Sequence, residues 1–518
     1  MRCQSAGELR ADLKRLKRDE SSSKVSVPQV RSRGRMRFVV WAAALAAVIG
    51  IAALVGLKLR SNSAGAVADS IAVLPFANNS AEPNSEYLSD GITEGLIHTL
   101  SRVPQLRVMA RATVFHYKGQ QADPQKVGHD LNVQAVLTGT VAQRGNNLHI
   151  DAALVDVRDG SELWGESYDR KLAEVQSLQE EIARDISSKL QLRLSSQTEG
   201  AQAKIPAQDS ETYLLYLRGR YYLDKQTTND VRTSIDYFQQ ALSRNPNFAR
   251  AYAGLADAYI SLGYPWIGGL PPRQALQEAK NAAENALRLS GDLSEAHVSL
   301  AHVLVLHDWD WRRAEEEHQR AIALDPNSAQ AHNLYGELLQ VQGRTDEAVR
   351  EAEKAGQLDP INLQGAVGWP FYTARQYDQA EKLFRRYSIH IGLAWVYMAT
   401  GRYPQAITEL QAEEGGRAPT EIVLASLGQI YGLQGKKQEA EKVLAELMQR
   451  SKKTYVSPSL LAYVYVGLGD REHTLSALEQ AFQEHDQEMI YLKVDPMFDQ
   501  FHSDPRFQEL LRSMGLSN

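Results

Sequence analysis

Apolar residues are arranged along this chain in three ways, and each arrangement predicts a different kind of structure. From Phe38 to Leu57 twenty consecutive residues carry no charge, long enough at the helical rise to cross the hydrocarbon core of a bilayer. Between 69 and 196 short apolar runs alternate with helical ones. Ser70 to Phe76 reads as a buried strand ended by proline and asparagines, and Leu88, Ile92, Leu96 and Leu100 then recur near helical spacing from Tyr87 to Leu100. A brief strand is expected at Arg107 to Ala110 and a helix at Pro124 to Leu131. Val133 to Gln143 and Leu148 to Val157 alternate apolar with polar residues around Arg144-Gly145-Asn146-Asn147, which is a hairpin pattern. Asp159-Gly160 turns the chain into Glu162 to Tyr168, and a helix from Leu172 to Leu194 closes the unit.

From Asp209 the sequence becomes alanine-rich and periodic. Ala321 with Leu324-Asp325-Pro326 returns as Ala355 with Leu358-Asp359-Pro360, thirty-four residues later. Within the period, His332, Tyr335, Gly336, Leu339 and Ala348 recur as Leu424, Leu427, Gly428, Tyr431 and Ala440. This spacing predicts paired antiparallel helices, with small residues where helices approach closely and aromatic or leucine side chains filling the gaps. The phase gives about seven units, one interrupted by a Pro/Gly-rich loop from Tyr264 to Pro272. Another is shortened between Tyr377 and Thr400, and Pro496 to Leu516 reads as a capping segment.

The period and its internal spacing resemble tetratricopeptide repeat proteins, which implies a right-handed superhelix whose concave face binds peptides or protein surfaces. IAVLPF, the YLSDGITEGLIHTLS helix, VLTGTV and ELWGESYDR together resemble the TolB amino-terminal-like, or FlgO-like, domain. That resemblance implies a non-catalytic module found outside the cytoplasm. The fold expected is thus multidomain: a basic arm at 1–37, a transmembrane helix at 38–57, a linker at 58–68, an α/β domain of mixed sheet at 69–196, a linker at 197–208, and an all-α superhelical solenoid with a C-terminal capping helix at 209–518.

Charge orients this arrangement. Residues 1–37 hold eleven Lys or Arg and four Asp or Glu, so of the net −6 the remainder carries −13. Arg31, Arg33, Arg35 and Arg37 crowd the amino side of the apolar run. By the positive-inside rule the arm is then cytoplasmic, and the long remainder lies outside the inner membrane. A cleavable signal with its site at Ala64-Gly65-Ala66 is the rival reading, and it leaves the same side for the remainder. The single cysteine, Cys3, falls on the arm, so neither disulfides nor a cysteine-based zinc site are expected beyond it. The acidic remainder argues against nucleic acid as a partner there.

Within the arm, helix 5–19 resembles the last helix of the carboxy-terminal lobe of bacterial serine/threonine protein kinases, matched at Arg2, Ser5, Ala6, Glu8 and Leu9. The GxGxxG, HRD and DFG motifs that phosphoryl transfer needs are absent, so no enzymatic activity and no cofactor are expected. Asp90, Glu94 and His98 share a helix face that a metal or an acid–base pair could use. Without a further ligand at defined spacing, they read as a solvated polar stripe. Trp309, Trp311, Trp369 and Trp395 read as core.

Unit phase selects Asp257, His302, Asn333, Glu337, Gln340 and Gln429 for the concave face, with no basic clamp among them. The function expected is a single-pass membrane protein whose repeats engage a protein or peptide, with the membrane itself contacted through 38–57. The alternatives are the carboxy-terminal part of a transmembrane serine/threonine kinase and a membrane-bound transcription regulator.

Overall fold

The computed structural model describes residues 68–80, 85–103, 105–190, 210–265, 267, 269–414 and 419–517. Ala68–Asn518 forms one compact unit. The apolar run at 38–57, the kinase-like helix 5–19 and the linkers 58–67 and 197–208 lie outside the described residues. Among those described, no helix is long and apolar enough to cross a membrane. The expected fold class is corrected on this point: what is observed is a mixed sheet with a helical solenoid, without the membrane-spanning helix. The inner-membrane location that followed from it is withdrawn with it.

The sheet-containing part comprises β1 (Ser70–Val73), β2 (Ala77–Asn78), α1 (Glu86–Ser101), β3 (Arg107–Val108), α2 (Arg111–Phe115), α3 (Pro124–Asp130), β4 (Ala135–Arg144), β5 (Asn147–Asp156), β6 (Glu162–Lys171) and α4 (Val175–Lys189). The strand order is β3-β1-β4-β5-β6, with β2 also paired to β4. β1 runs parallel to β3 and β4, while β4, β5 and β6 form an antiparallel meander. All four residues of β1 are buried, consistent with a central strand lacking a polar face. β5 instead buries every second residue, Leu148, Ile150, Ala152 and Leu154 among them. The hairpin closes with Arg144 opposite Asn147, and Gly145 takes the positive φ of 61° that so short a turn requires. The outer strand β6 carries Glu162, Glu166, Asp169, Arg170 and Lys171, charges that discourage a further strand from adding to that edge.

The remainder is a series of helical hairpins. They are α5 (Ser210–Leu223) with α6 (Thr228–Arg244), α7 (Ala249–Gly263) with α8 (Pro272–Leu289), α9 (Ser294–Val303) with α10 (Trp311–Leu324), and α11 (Ala329–Val341) with α12 (Thr345–Leu358). There follow α13 (Gly368–Thr373) with α14 (Tyr377–Tyr387), α15 (His390–Ala399) with α16 (Tyr403–Glu414), α17 (Glu421–Leu433) with α18 (Lys437–Arg450), and α19 (Pro458–Leu468) with α20 (Arg471–Glu484). This makes eight hairpins among the described residues, against about seven from the period. The extra one comes from the shortened stretch, where α13 has only six residues and α15 only ten. Caps fix several helix starts: Asp310, Ser328 and Asp470 each accept a hydrogen bond from the amide three residues on.

Two parts of this unit depart from a simple string of modules. First, the sheet-containing part is docked on the early repeats through α1. Gln179 donates to the Gly91 carbonyl at 2.8 Å and accepts from the Tyr213 hydroxyl at 2.6 Å. The Asp-Pro turns that mark the repeat period serve as further docking points. Ser101 donates to Asp325 at 2.9 Å, Asn327 donates to the carbonyls of Ser101 and Leu106 at 2.8 Å each, and Thr113 donates to Asp359 at 2.5 Å. Second, the segment after α20 does more than cap the end. Through 3-10 turns at Gln487–Tyr491 and Pro496–Phe501 and helix α21 (Pro505–Ser513), it returns to the middle repeats. Trp311 donates to the Met514 carbonyl at 2.7 Å, and Arg375 pairs with Asp499.

Candidate functional site

On α11, Asn333, Glu337 and Gln340 lie four and then three residues apart, so they share one helix face. That face borders a cavity of about 430 Å³, within the range of small-ligand and side-chain pockets. Trp369 and Tyr372 reach it from α13, Trp395 from α15 and Tyr463 from α19. The returning C-terminal segment supplies Glu488, Tyr491 and Asp495. Small residues, Gly336, Ala352, Gly365 and Ala366, leave the space open.

The aromatic wall is continuous: the ring of Trp395 lies 5.5 Å from that of Trp369, 6.0 Å from Tyr372 and 6.3 Å from Tyr463. Tyr491 donates its hydroxyl proton to Glu337, bridging the C-terminal segment to α11. Tyr463 donates to Asp495 at 3.0 Å. The Tyr372 hydroxyl is buried and has no hydrogen-bond partner among the described residues.

Burial raises all three carboxyls. Glu337 titrates above the usual range, and Asp495 is pushed up to about 6. Glu488 is pushed up to about 8, first by burial and then by the neighbouring charges of Asp486, Asp495 and Glu337. A carboxyl whose folded pKa is raised binds its proton more tightly when folded, so its contribution to stability is lost as pH rises from the unfolded value toward the folded one. The other titrating groups are common to the native chain and a Glu488 variant, so their contributions cancel when the two are compared and the change due to Glu488 remains. Glu488→Gln is therefore expected to gain about 2 kcal/mol over the native chain between pH 6.5 and 8.5. Urea unfolding at the two pH values checks this, and a constant difference between the two chains would contradict it.

The other expected site residues are placed differently. Asp257 accepts from Arg220 at 3.1 Å and from Ser299 at 2.6 Å. His302 is buried against the Tyr264 hydroxyl at 2.8 Å, and burial lowers its pKa to about 4. Gln429 is 3% exposed. The structure thus gathers Asn333, Glu337 and Gln340 at one cavity and puts Asp257, His302 and Gln429 in contacts internal to the fold.

Asp90, Glu94 and His98 are also partnered rather than solvated. Lys118 holds Asp90 at 2.6 Å, Arg220 holds Glu94 at 2.9 Å, and Glu295 meets His98 at 2.9 Å. Among the described residues no three His, Cys, Asp or Glu side chains are placed to hold a metal ion together. The polar stripe is the face by which α1 meets its neighbours. Of the tryptophans read as core, Trp309 stacks on Phe482 and His485, whereas Trp369 and Trp395 form cavity wall. Glu488, Tyr491 and Asp495 were not expected at a site. The signal that could have found Glu488 and Asp495 is local: two acidic residues in the mostly apolar stretch EMIYLKVDPMF, whose one basic residue is Lys493.

Comparison with known proteins agrees with the repeats and revises the reading of the sheet-containing part. Residues 216–263, 319–350 and 388–412 match tetratricopeptide repeat family models, and the chain carries such repeats. Residues 67–188 match the model for the second domain of HilA/YgeH-like transcriptional regulators. The TolB-like and kinase-like resemblances find no support in these matches.

The chain is similar to a putative adenylate cyclase 3 of Rhizobium meliloti, with 34% identity over 250 residues covering 48% of this chain and 42% of the relative. It is similar also to the transcriptional regulator HilA of Salmonella typhimurium, with 25% identity over 175 residues covering 33% of this chain and 31% of that one. The chain thus spans less than half the length of these relatives. A solved tetratricopeptide repeat protein from Parabacteroides merdae aligns over 50% of this chain and 99% of its own, at 15% identity and a TM-score of 0.39.

Proposed function

We propose that this chain is a non-enzymatic interaction protein whose repeats hold a peptide segment of a protein partner at the cavity beside Asn333, Glu337 and Gln340. The observation that carries this reading is the cavity itself. It is open, lined by tryptophan and tyrosine side chains, and built from several successive hairpins of a repeat type that generally binds protein or peptide partners. The sheet-containing part is joined to the repeats through hydrogen-bonded, buried contacts, so it acts with them as a single recognition body. That parts of this chain are similar to proteins named for two unrelated activities, a putative cyclase and a transcriptional regulator, fits a binding role rather than a catalytic one.

A displayed library of random twelve-residue peptides, panned against the 518-residue chain, is expected to enrich binders. Filling the cavity by Ala366→Trp should weaken their binding tenfold or more without lowering the unfolding temperature. Failure to enrich any sequence, or binding indifferent to that substitution, would refute the reading.

A second reading is favoured by the match at 67–188: the chain is the sensing portion of a signalling or transcription-regulating assembly, and partner binding at the repeats is its input.

A further inference from the structure

The cavity has a chemical sign. Glu337, Glu488 and Asp495 line it, and no lysine, arginine or histidine is among its described lining residues. The charges that act on Glu488 are those of Asp486, Asp495 and Glu337; the turn that carries it also packs on α20 and on residues 304–308, where His307 is held by Asp308 at 2.8 Å. Glu337 on α11, Tyr372 on α13 and Tyr463 on α19 line the same cavity as Glu488, and the C-terminal segment adds Tyr491 and Asp495 to the lining. Arg375, whose charge acts on Asp495, is committed to the carbonyls of Thr373 and Val494 and to Asp499.

An anion entering this space would meet three carboxyls with no counter-charge. A wholly apolar guest would strip water from the carboxyl oxygens that Tyr491 and Tyr463 do not already satisfy, and would leave the Tyr372 hydroxyl unpaired. The hydroxyl independently marks the cavity as one that suits a polar group: Tyr372 is 2% exposed, lines the cavity, and has no hydrogen-bond partner among the described residues. A cation satisfies all of these groups. Its hydrogens can be donated to Glu488, Asp495 and the Tyr372 oxygen, and the faces of Trp369, Trp395 and Tyr463 in the cavity wall stabilise positive charge.

The geometry points to a basic side chain, a lysine or arginine of the partner polypeptide, as the group this cavity receives. This rests on the peptide-binding reading above and adds to it the identity of the anchoring residue. Because burial keeps a proton on Glu488 near neutrality, entry of the cation breaks the carboxyl O–H bond. The proton leaves to solvent, and the resulting carboxylate accepts a hydrogen bond from the ligand. Binding is therefore coupled to release of up to one proton and tightens as pH rises, as long as the ligand stays charged.

The test uses the panned peptides with the full-length chain. The enriched sequences are expected to share a lysine or arginine, and its replacement by norleucine should weaken binding at least tenfold. Binding to the native chain should tighten about tenfold from pH 6.5 to pH 8.5. Glu488→Gln should lose that pH dependence and match the native chain at pH 6.5, where both present a neutral group. Calorimetry in buffers of different ionisation enthalpy should show proton release for the native chain alone.

Peptides that are acidic or purely apolar yet sensitive to Ala366→Trp would overturn the inference and leave the peptide-binding reading standing. No enrichment at all would remove both. Displacement of the peptides by butylammonium chloride at the peptides' own concentration would show a site for free amines instead of a partner side chain, and would overturn the inference also.

Discussion

Gly467→Ala is expected to destabilise the chain by about 3 kcal/mol, read as a fall in the urea midpoint at constant slope. A Cβ built at Gly467 lies 2.4 Å from the Gln429 carbonyl oxygen and 2.7 Å from the Gln429 Cα. One at Gly432 lies 2.4 Å from the Gly467 carbonyl carbon. Helices α17 and α19 therefore touch backbone to backbone, and no side-chain rotation can relieve the overlap. Alanine's better helix propensity returns about 1 kcal/mol, too little to offset a forced separation of two packed helices.

The control is Gly336→Ala in α11. There the nearest atoms, including the Ala348 carbonyl oxygen and the Glu351 Cβ, stand at 3.4 Å, an ordinary contact. That substitution keeps the propensity gain, and it should leave stability unchanged or raise it by up to about 1 kcal/mol. Equal effects at the two glycines would mean that the α17–α19 contact is not the tight one.

The same pair of glycines shows what could be read from the chain and what could not. Repeat phase places a small residue at Gly336 and Gly428, because helix pairs packed at a fixed angle approach closely once per unit. It does not say which approach is closest, since that depends on how successive units rotate. The strand alternation of β5 and the turn at Gly145 were legible for a similar reason: a two-residue period and a left-handed glycine are local properties.

The contacts that assemble the unit were not legible. The Asp325 and Asp359 turns gave the repeat period, yet nothing local to them states that Ser101 and Thr113 dock there across more than two hundred residues of sequence. The stripe of Asp90, Glu94 and His98 was read as solvated because its partners, Lys118, Arg220 and Glu295, are brought to it only by the tertiary fold. Half of the candidate site was found for one reason and half missed for another. Asn333, Glu337 and Gln340 follow from helix phase, whereas Glu488 and Asp495 reach the cavity only because the chain's last segment doubles back.

That dependence on the shortened middle units leads to the second large effect. Phe384→Ala is expected to cost about 4 kcal/mol and to weaken the proposed peptide site with it. The ring of Phe384 is fully buried in α14, and Gly368 of α13 and Gly392 of α15 lie so near that a Cβ on either would sit 2.3 and 2.8 Å from ring carbons. One side chain thus joins three short helices, and its ring also backs Trp369 at 4.8 Å. α13 has six residues, too few to hold its own conformation in isolation, so it relies on this contact.

Because each repeat is supported mainly by its neighbours, a large loss here should uncouple the array locally rather than weaken it evenly. Hydrogen exchange is expected to show α13 to α15 opening first in Phe384→Ala, while β4 and β5 keep their native protection. Peptide binding should fall together with that protection, since Trp369 and Trp395 form the cavity wall on those helices. Uniform loss of protection across the whole unit, or a cost under about 1 kcal/mol, would show that the middle units are held by something other than this ring.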